Sequence, residues 1–268
     1  MPHDQSISDF TSHRAGLPEL WDRLQRHQTD FCIAMELPHY YTSPSWLAAR
    51  SVLDLGTGNG YYVHRIESRF PEKHYTGIDI CEELIEVAER ENDKNNIAFR
   101  CCDFFDLEER FDFVIVRLVL QHLPDVDVAL RKLAEITAPG GSALVIDAYD
   151  PVRFYWPDVP NFMRFFRAYA DYQRELGLDR SAVDNLAETA KAHDTWRVGE
   201  ALHVTVPSTL PGNLDLFRTS YGVFIELVER GSNMTYDFEP VKREWRWWCG
   251  LEQAYTQAGL TIVRLDRV

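Results

Sequence analysis

The segment VLDLGTGNG, at residues 52–60, decides the fold of this chain. A short apolar strand runs directly into three glycines at alternate positions, and a helical pattern starts at residue 61. Glycine suits such a turn because it adopts backbone angles that other residues avoid and lets a ligand approach the main chain. The third glycine comes one residue earlier than in the dinucleotide-binding form G-x-G-x-x-G, so the segment departs from that form.

Strands and helices alternate over residues 50–150. Apolar strands are expected at 52–55, 74–79, 97–101, 111–116 and 143–147, and helices at 61–69, 82–91 and 126–137. Alternation of this kind predicts a mostly parallel sheet with helices packed against it. The fourth strand is almost entirely apolar, as expected for a strand that is buried on both faces.

The alternation stops after residue 150. Helices are expected at 17–37, 158–176, 181–194, 213–230 and 239–258, and further strands at 202–206 and 260–266. We therefore predict an N-terminal helical cap (1–50), a ligand-binding core (51–150), a helical and aromatic insertion that caps the substrate (151–212), and C-terminal helices with a last strand that completes the core (213–268).

The bulk composition argues against several classes of protein. The net charge is −14, and basic residues are interspersed among acids, whereas proteins that bind nucleic acid usually present a basic patch. No apolar run reaches the roughly 18–20 residues of a membrane span. The polar residues 1–16 lack the apolar centre of a signal peptide, so we expect a cytoplasmic protein without a membrane partner, either a monomer or a homodimer.

The five cysteines form no C-x-x-C pair. Their number is odd and their spacing is irregular, which argues against a disulfide framework and against a zinc site. We therefore expect no metal.

Acidic residues follow the second and third strands. Asp79 lies 21 residues beyond Gly58, where a carboxylate can accept hydrogen bonds from both hydroxyls of a ribose; its bland alternative is a helix cap. Asp103 follows the third strand and can accept a hydrogen bond from an exocyclic amine, while Phe104 flanks a purine. Each feature alone is common, but their combination indicates a nucleoside site.

These motifs resemble the class I S-adenosylmethionine-dependent methyltransferase superfamily over residues 50–147. VLDLGTGNG is similar to its first motif, GIDI to its ribose segment and CDFFDL to its adenine segment. FDFVIVRLVLQHLPD and LRKLAEITAPGGSALVID are similar to its fourth- and fifth-strand motifs. The resemblance implies an α/β fold, a Rossmann-like doubly wound, mostly parallel sheet with helical cap segments at the N-terminus and after the fifth strand.

The resemblance also implies S-adenosylmethionine (SAM) as the cofactor. The cofactor-binding residues that it implies are Asp54, Gly56, Thr57, Gly58, Gly60, Asp79, Ile80, Asp103, Phe104 and Arg117. The glycine turn would lie against the methionine part of SAM. The segment from Arg117 to His122 would line the methionine and acceptor side.

One departure from the family pattern concerns the end of the sheet. In the family, a helix and an Ala-Gly-apolar strand usually lead to a final antiparallel strand. AYTQAGLTIVRLDRV, at residues 254–268, is similar to that helix and strand, but no further strand follows in this sequence. We expect residues 202–206 to supply the missing strand.

The acceptor side is less constrained by the sequence. His122 is the first candidate for a catalytic base because it follows the fourth strand; the alternative is a histidine bonded to the backbone at a helix start. Tyr40 and Tyr41 are further catalytic candidates. Trp156, Tyr149 and Asp150 are candidates for binding the substrate. For the aromatic residues, plain core packing is the competing interpretation.

Three functions remain open at this point. The first is a methyltransferase that acts on an O, N or C atom of a small molecule. The second is an enzyme that consumes SAM without an external acceptor, such as one that cyclises it to azetidine-2-carboxylate and methylthioadenosine. The third is a non-catalytic SAM-binding module. The products formed from SAM with and without an acceptor distinguish the three.

Overall fold

The computed structural model describes residues 17–181 and 183–268. The polar N-terminal segment that carries no signal-peptide pattern lies outside these residues. The helices are α1 (Leu17–Tyr41), α2 (Pro44–Ala48), α3 (Tyr61–Glu67), α4 (Glu82–Glu91), α5 (Val126–Ile136), α6 (Pro160–Glu175), α7 (Leu186–Lys191), α8 (Asn213–Gly231) and α9 (Glu239–Cys249). The strands are β1 (Ser51–Leu55), β2 (His74–Asp79), β3 (Ile97–Cys101), β4 (Phe111–Arg117), β5 (Thr137–Ala148), β6 (Phe154–Trp156), β7 (Trp196–Pro207) and β8 (Tyr255–Arg267).

The eight strands form one sheet with the order β3-β2-β1-β4-β5-β8-β6, and β7 also pairs with β8. Strands β1 to β5 are parallel to one another, while β8 runs antiparallel to β5, β6 and β7. The strand order reverses between β1 and β4, and in such a sheet a ligand binds beyond the carboxyl ends of the strands at that point. The predicted Rossmann-like α/β fold is confirmed.

Alternate residues of β4 show why helices cover both faces of the sheet. Phe113 and Ile115 belong to one core, and Val114 and Val116 to the other. All four are fully buried, because side chains of a strand point alternately to opposite faces. The first core includes residues of α1, α3, α6, α8 and α9, and the second includes residues of α5 and α7.

The end of the sheet confirms one prediction and corrects another. Residues 202–206 lie in the sheet as expected, within the longer strand β7, which pairs with β8 over its whole length. The predicted helix at 239–258 is wrong in its second half, because α9 ends at Cys249 and β8 starts at Tyr255. Strand β8 is itself the antiparallel strand between β5 and β7. Tertiary pairing on both of its edges overrides the helical pattern that AYTQAG suggests on its own.

A glycine precedes α8, and the first residue of the helix contacts α1. Gly212, with a φ of +81°, occupies the N-cap position. The Asn213 side chain donates hydrogen bonds to the carbonyls of Phe31 and Pro207, at 3.1 and 3.2 Å. This side chain thereby ties α8 to α1. The proposed division into four segments stays a prediction.

The ranges described contain no helix that is both long enough and apolar enough to cross a membrane.

Lys73 fastens α2 to the sheet. Its ammonium is 1% exposed and donates hydrogen bonds to the carbonyls of Trp46 and Ala49, both at 2.8 Å. We expect Lys73→Met to lower the free energy of unfolding by about 1–3 kcal/mol, because the buried carbonyl of Ala49 loses this donor and the carbonyl of Trp46 loses one of its two. Urea unfolding measures this effect.

Lys94→Met is the matched control, since the Lys94 side chain is 43% exposed. If Lys73→Met is no less stable than this control, the buried ammonium does not stabilise the fold.

Candidate functional site

A cavity of about 290 Å³ opens at the carboxyl ends of β1, β2 and β4. Nine of the residues predicted for the site line it: Asp54, Gly56, Thr57, Asp79, Ile80, Asp103, Phe104, Arg117 and His122. Four elements or segments outside the core complete the wall: α1, α6, α8 and the segment between α6 and α7. The core and both caps therefore share one enclosed space.

The glycine turn has the backbone that its sequence predicts. Gly56, Gly58 and Gly60 have φ values of +69°, +56° and +72°, which side-chain-bearing residues rarely adopt. Neighbouring atoms also exclude a side chain. A Cβ on Gly56 would lie 2.4 Å from Val119, and one on Gly58 would lie 2.3 Å from the amide of Gln25. Gly58 and Gly60 support the turn without lining the cavity.

Asp79 connects the turn to the end of β2. One of its carboxylate oxygens accepts a hydrogen bond from the amide of Gly58 at 2.8 Å, and the other accepts from the amide of Cys81 at 2.9 Å. Burial raises the pKa of this carboxyl, and the backbone hydrogen bonds oppose that rise. Each oxygen keeps a further lone pair that can accept from a ligand.

Asp54 is the second buried acid of the site, with 2% of its surface exposed. Its carboxylate accepts a hydrogen bond from the hydroxyl of Thr57 at 2.7 Å. Burial raises the pKa of Asp54 to about 7, despite that hydrogen bond and the nearby charge of Arg117. A positively charged ligand in the cavity would therefore favour the ionised form of this carboxyl.

The segment after β3 forms the outer part of the cavity. Asp103 caps a single 3₁₀ turn by accepting a hydrogen bond from the amide of Phe105 at 2.9 Å. The ring of Phe104 is buried and lies 4.0 Å from the ring of Phe105, centroid to centroid. Ile80, in the loop between β2 and α4, is 44% exposed. These residues provide an acid and apolar surfaces side by side.

Helix α1 lies against the glycine turn and the end of β4. The Nε of Arg117 donates to both carboxylate oxygens of Glu36, at 3.0 and 3.1 Å, and Glu36 is fully buried. Asn59 donates to Asp22 at 2.8 Å through its side chain, and to Gln25 at 3.0 Å through its backbone amide. Burial lowers the pKa of Arg117, but Glu36 outweighs that effect and keeps it above its usual value.

The sequence predicted a helical cap at the N-terminus but not which residues of α1 line the cavity. Trp21, Leu24, Gln25, Gln28 and Thr29 all line the cavity. Glu36, which lies near apolar residues in the second half of this helix, was the one feature of the sequence that indicated an ionic partner. Nothing in the sequence identified that partner as the arginine at the end of β4.

Leu118 follows directly after β4 and has a φ of +57°. A non-glycine residue in this region is strained, and such residues cluster at binding sites. Its amide donates to the carbonyl of Ile146 at 2.8 Å, which fixes the chain at the edge of the cavity. The strained residue also lines the cavity between Arg117 and Val119.

His122 ends a 3₁₀ turn on the same segment and also lines the cavity. Burial and the positive charge of Arg180 lower its pKa to about 4. The imidazole is therefore neutral at pH 7, and the same shift makes it a weaker base than an ordinary histidine. The structure thus leaves His122 as a candidate base.

The inner end of the cavity is built by residues that the sequence did not single out. Tyr169 and Gln173 come from α6, and Arg180 comes from the segment that follows it. The guanidinium of Arg180 donates to the carboxylate of Asp150 at 3.0 Å and to the amide oxygen of Gln121. The sequence around residue 180 is polar, and nothing in it indicated that Arg180 lines the cavity.

The expected catalytic roles of Tyr40 and Tyr41 are corrected by their positions. Tyr40 is fully buried in the core, where its hydroxyl lies 2.9 Å from that of Tyr62 and its ring packs edge-on against Trp46. Tyr41 is 49% exposed. Neither lines the cavity. A large aromatic side chain near the end of α1 gains more from core packing than from an exposed pocket edge.

The expected substrate-binding residues also lie outside the cavity wall. Trp156 is 61% exposed on β6, and the ring of Tyr149 stacks on His203 with a centroid distance of 3.7 Å. Asp150 binds Arg153 and Arg180, and only Arg180 of these three lines the cavity. Asp150 is therefore a positioning residue for that guanidinium.

Comparison with known proteins places the chain in a family. A family model described as a methyltransferase domain matches residues 48–195, which is more than half of the chain. Malonyl-[acyl-carrier protein] O-methyltransferase from Bacillus anthracis is 36% identical over 84 residues, or 31% of each protein. Demethylmenaquinone methyltransferase from Listeria welshimeri is 28% identical over 129 residues, 46% of this chain and 52% of that protein. The chain thus matches between about a third and a half of the length of these relatives.

Among solved structures, a candidate sarcosine dimethylglycine methyltransferase from Galdieria sulphuraria superposes with a TM-score of 0.52. It is 18% identical, and the superposition covers 88% of this chain and 85% of that one, which bears on the fold alone. The chain therefore belongs to the methyltransferase-domain family that its sequence motifs resemble, and S-adenosylmethionine is the cofactor that this membership implies.

Proposed function

We propose that this chain is a SAM-dependent methyltransferase that acts on a small molecule. The observation that carries the proposal is the single cavity that joins Asp54 and Asp79, at the ends of β1 and β2, to the Asp103-Phe104 pair and His122. In a family of methyltransferase domains, this arrangement provides a cofactor end and an acceptor end within one enclosed space.

The hydrogen-bond acceptors and apolar surfaces of the cavity fit SAM. Asp79 would accept hydrogen bonds from the ribose hydroxyls, and Asp103 and Phe104 would bind the adenine. The glycine turn, Asp54 and Arg117 would surround the methionyl part, where the negative charge of Asp54 suits a sulfonium. When bound, SAM supplies a methyl carbon that the sulfonium activates for in-line displacement.

The contribution of the protein is then mainly orientation and the exclusion of water. Helices α1 and α8 cover the space beyond the sheet with Trp21, Leu24 and Phe224, and Leu176, directly after α6, lines the same cavity. His122 would accept a proton from an O–H or N–H acceptor, because its imidazole is neutral. A cavity of about 290 Å³, enclosed by these helices, suits a small acceptor better than a macromolecule.

The products formed from SAM test the proposal directly. The purified chain is incubated with SAM alone and with SAM plus a cell extract, and nucleoside products are followed by mass spectrometry. We expect S-adenosylhomocysteine only when the extract is present, because transfer needs an external acceptor. Methylthioadenosine from SAM alone, above the spontaneous rate, would show internal cyclisation instead. SAM binding without either product would indicate a non-catalytic module.

Replacement of Asp79 tests the cofactor end. Asp79→Ala should weaken the binding of S-adenosylhomocysteine by about 30-fold or more, because two hydrogen bonds to a carboxylate, together roughly 2 kcal/mol, are lost. Isothermal titration calorimetry measures the affinity. Asp79→Asn, which keeps one acceptor towards the turn, should show an intermediate loss.

Asp93→Ala is the control for these variants, since the Asp93 side chain is 80% exposed. An unchanged affinity in a folded Asp79→Ala protein would remove Asp79 from the ribose site.

Replacement of His122 tests the acceptor end. We expect His122→Ala to reduce kcat by about 100-fold, in the usual range for loss of a general base, while SAM affinity changes little. His203→Ala serves as the control, because His203 stacks on Tyr149 outside the cavity wall. Retention of full kcat in His122→Ala would show that the acceptor loses its proton without this imidazole.

A further inference from the structure

The inner end of the cavity contains a guanidinium that the methyl-transfer proposal does not use. Arg180 lies in the segment between α6 and α7, whereas the residues proposed to bind the cofactor follow or end the strands of the sheet. It lines the cavity together with His122. Its side chain is 15% exposed. A charged group in this position is costly to desolvate unless it binds a partner.

The described partners of Arg180 leave part of its hydrogen-bonding capacity unused. The Nε donates to Asp150 at 3.0 Å, one terminal nitrogen donates to Gln121, and the other lies 3.5 Å from Asp150. A guanidinium carries five N–H groups, so each terminal nitrogen keeps one N–H without an acceptor among the described residues. N–H groups on the two terminal nitrogens of a guanidinium can together bind one carboxylate.

Three carboxylates interact electrostatically with this arginine, but only Asp150 accepts its hydrogen bonds. Asp150 is shared, because it also binds Arg153 at 2.6 Å. Asp147 is fully buried, and its oxygens accept hydrogen bonds from the backbone amides of Gln121 and Ala148 rather than from Arg180. An anion at this end of the cavity would therefore be bound by the unused N–H groups of Arg180 and not by an excess of positive charge.

A second polar group at this end lacks a partner. Gln173 is 2% exposed and lines the cavity, and its side-chain oxygen accepts no hydrogen bond within residues 17–181 and 183–268. A buried acceptor without a donor costs about 1–3 kcal/mol, so this oxygen is suited to a donor on a ligand. Leu176, Leu178 and Phe224 provide apolar walls in the same cavity.

We infer that the acceptor is a small carboxylate with an apolar body, whose anionic group is bound by the free N–H groups of Arg180 and whose hydroxyl or amine donates to Gln173. This inference rests on the proposed function, because it assigns a ligand to the acceptor end of the same cavity. Arg180 is then the residue that determines substrate specificity.

The α-carboxylate of SAM itself has the same chemistry. Arg117 and the glycine turn are nearer to the expected methionyl site, whereas Arg180 reaches the cavity from the insertion after β5. Binding measurements on protein that is already saturated with S-adenosylhomocysteine separate the two sources, because the cofactor's own carboxylate then occupies its site.

The probes are hexanoate and 3-phenylpropionate, with hexanamide and 3-phenylpropionamide as neutral partners of the same shape. Titrated into S-adenosylhomocysteine-saturated protein and followed by ligand-observed NMR, the carboxylates should bind about tenfold or more tightly than the amides. Arg180→Gln should abolish the preference, and Arg180→Lys should retain part of it, because lysine keeps the charge but loses the fork. Arg197→Gln is the control, since that side chain is 71% exposed.

Equal binding of carboxylates and amides to the wild-type chain, or an undiminished preference in Arg180→Gln and Arg180→Lys, overturns the inference. A loss of S-adenosylhomocysteine affinity in Arg180→Gln as large as the loss of carboxylate binding assigns the arginine to the cofactor and also overturns it. If the wild-type chain does not bind S-adenosylhomocysteine, the proposed function fails, which is distinct from a failure of the carboxylate preference alone.

Discussion

Three glycines with positive φ values hold the turn between β1 and α3 in a conformation that few other residues adopt. The turn directs the amide of Gly58 towards Asp79, and it leaves room above the same glycine for the amide of Gln25. The acid at the end of β2 and the helix that covers the cavity therefore both depend on this backbone. A side chain at Gly56 or Gly58 would displace the side chain of Val119 or of Gln25, respectively.

A buried ion pair then fixes the cap to the core. Glu36 and Arg117 lie 81 positions apart in the sequence, and the carboxylate has no exposed surface. Breaking such a pair by removing one partner commonly costs several kcal/mol, because the other charge stays buried. Arg117 is thus held from one side by α1 while it lines the cavity, so the position of α1 and the shape of the cavity depend on each other.

The core was predictable from the sequence because its signals are local. The glycine turn, the apolar strand β4 and the acid after β2 each lie within a few residues of the element that positions them. The acceptor end was not predictable in this way. Arg180 reaches Gln121 across 59 positions and Asp150 across 30, and neither spacing leaves a periodic trace. For Tyr40 the sequence led to the opposite error, because a core residue was assigned to the site. An aromatic residue that lines a pocket and one that packs in the core have the same pattern in sequence.

Because the pKa of Asp54 is high, the stability of the fold and the binding of a cation beside Asp54 both depend on pH. An aspartate that ionises near pH 7 in the folded chain, but near 3.8 when unfolded, is protonated only in the folded state between those values. This carboxyl therefore adds stability as the pH falls through about 7, and the gain disappears above it. A cation bound beside Asp54 favours ionisation and expels that proton. If a sulfonium binds beside Asp54, as we propose, its uptake exchanges one positive charge for another and becomes more favourable as the pH rises towards about 7.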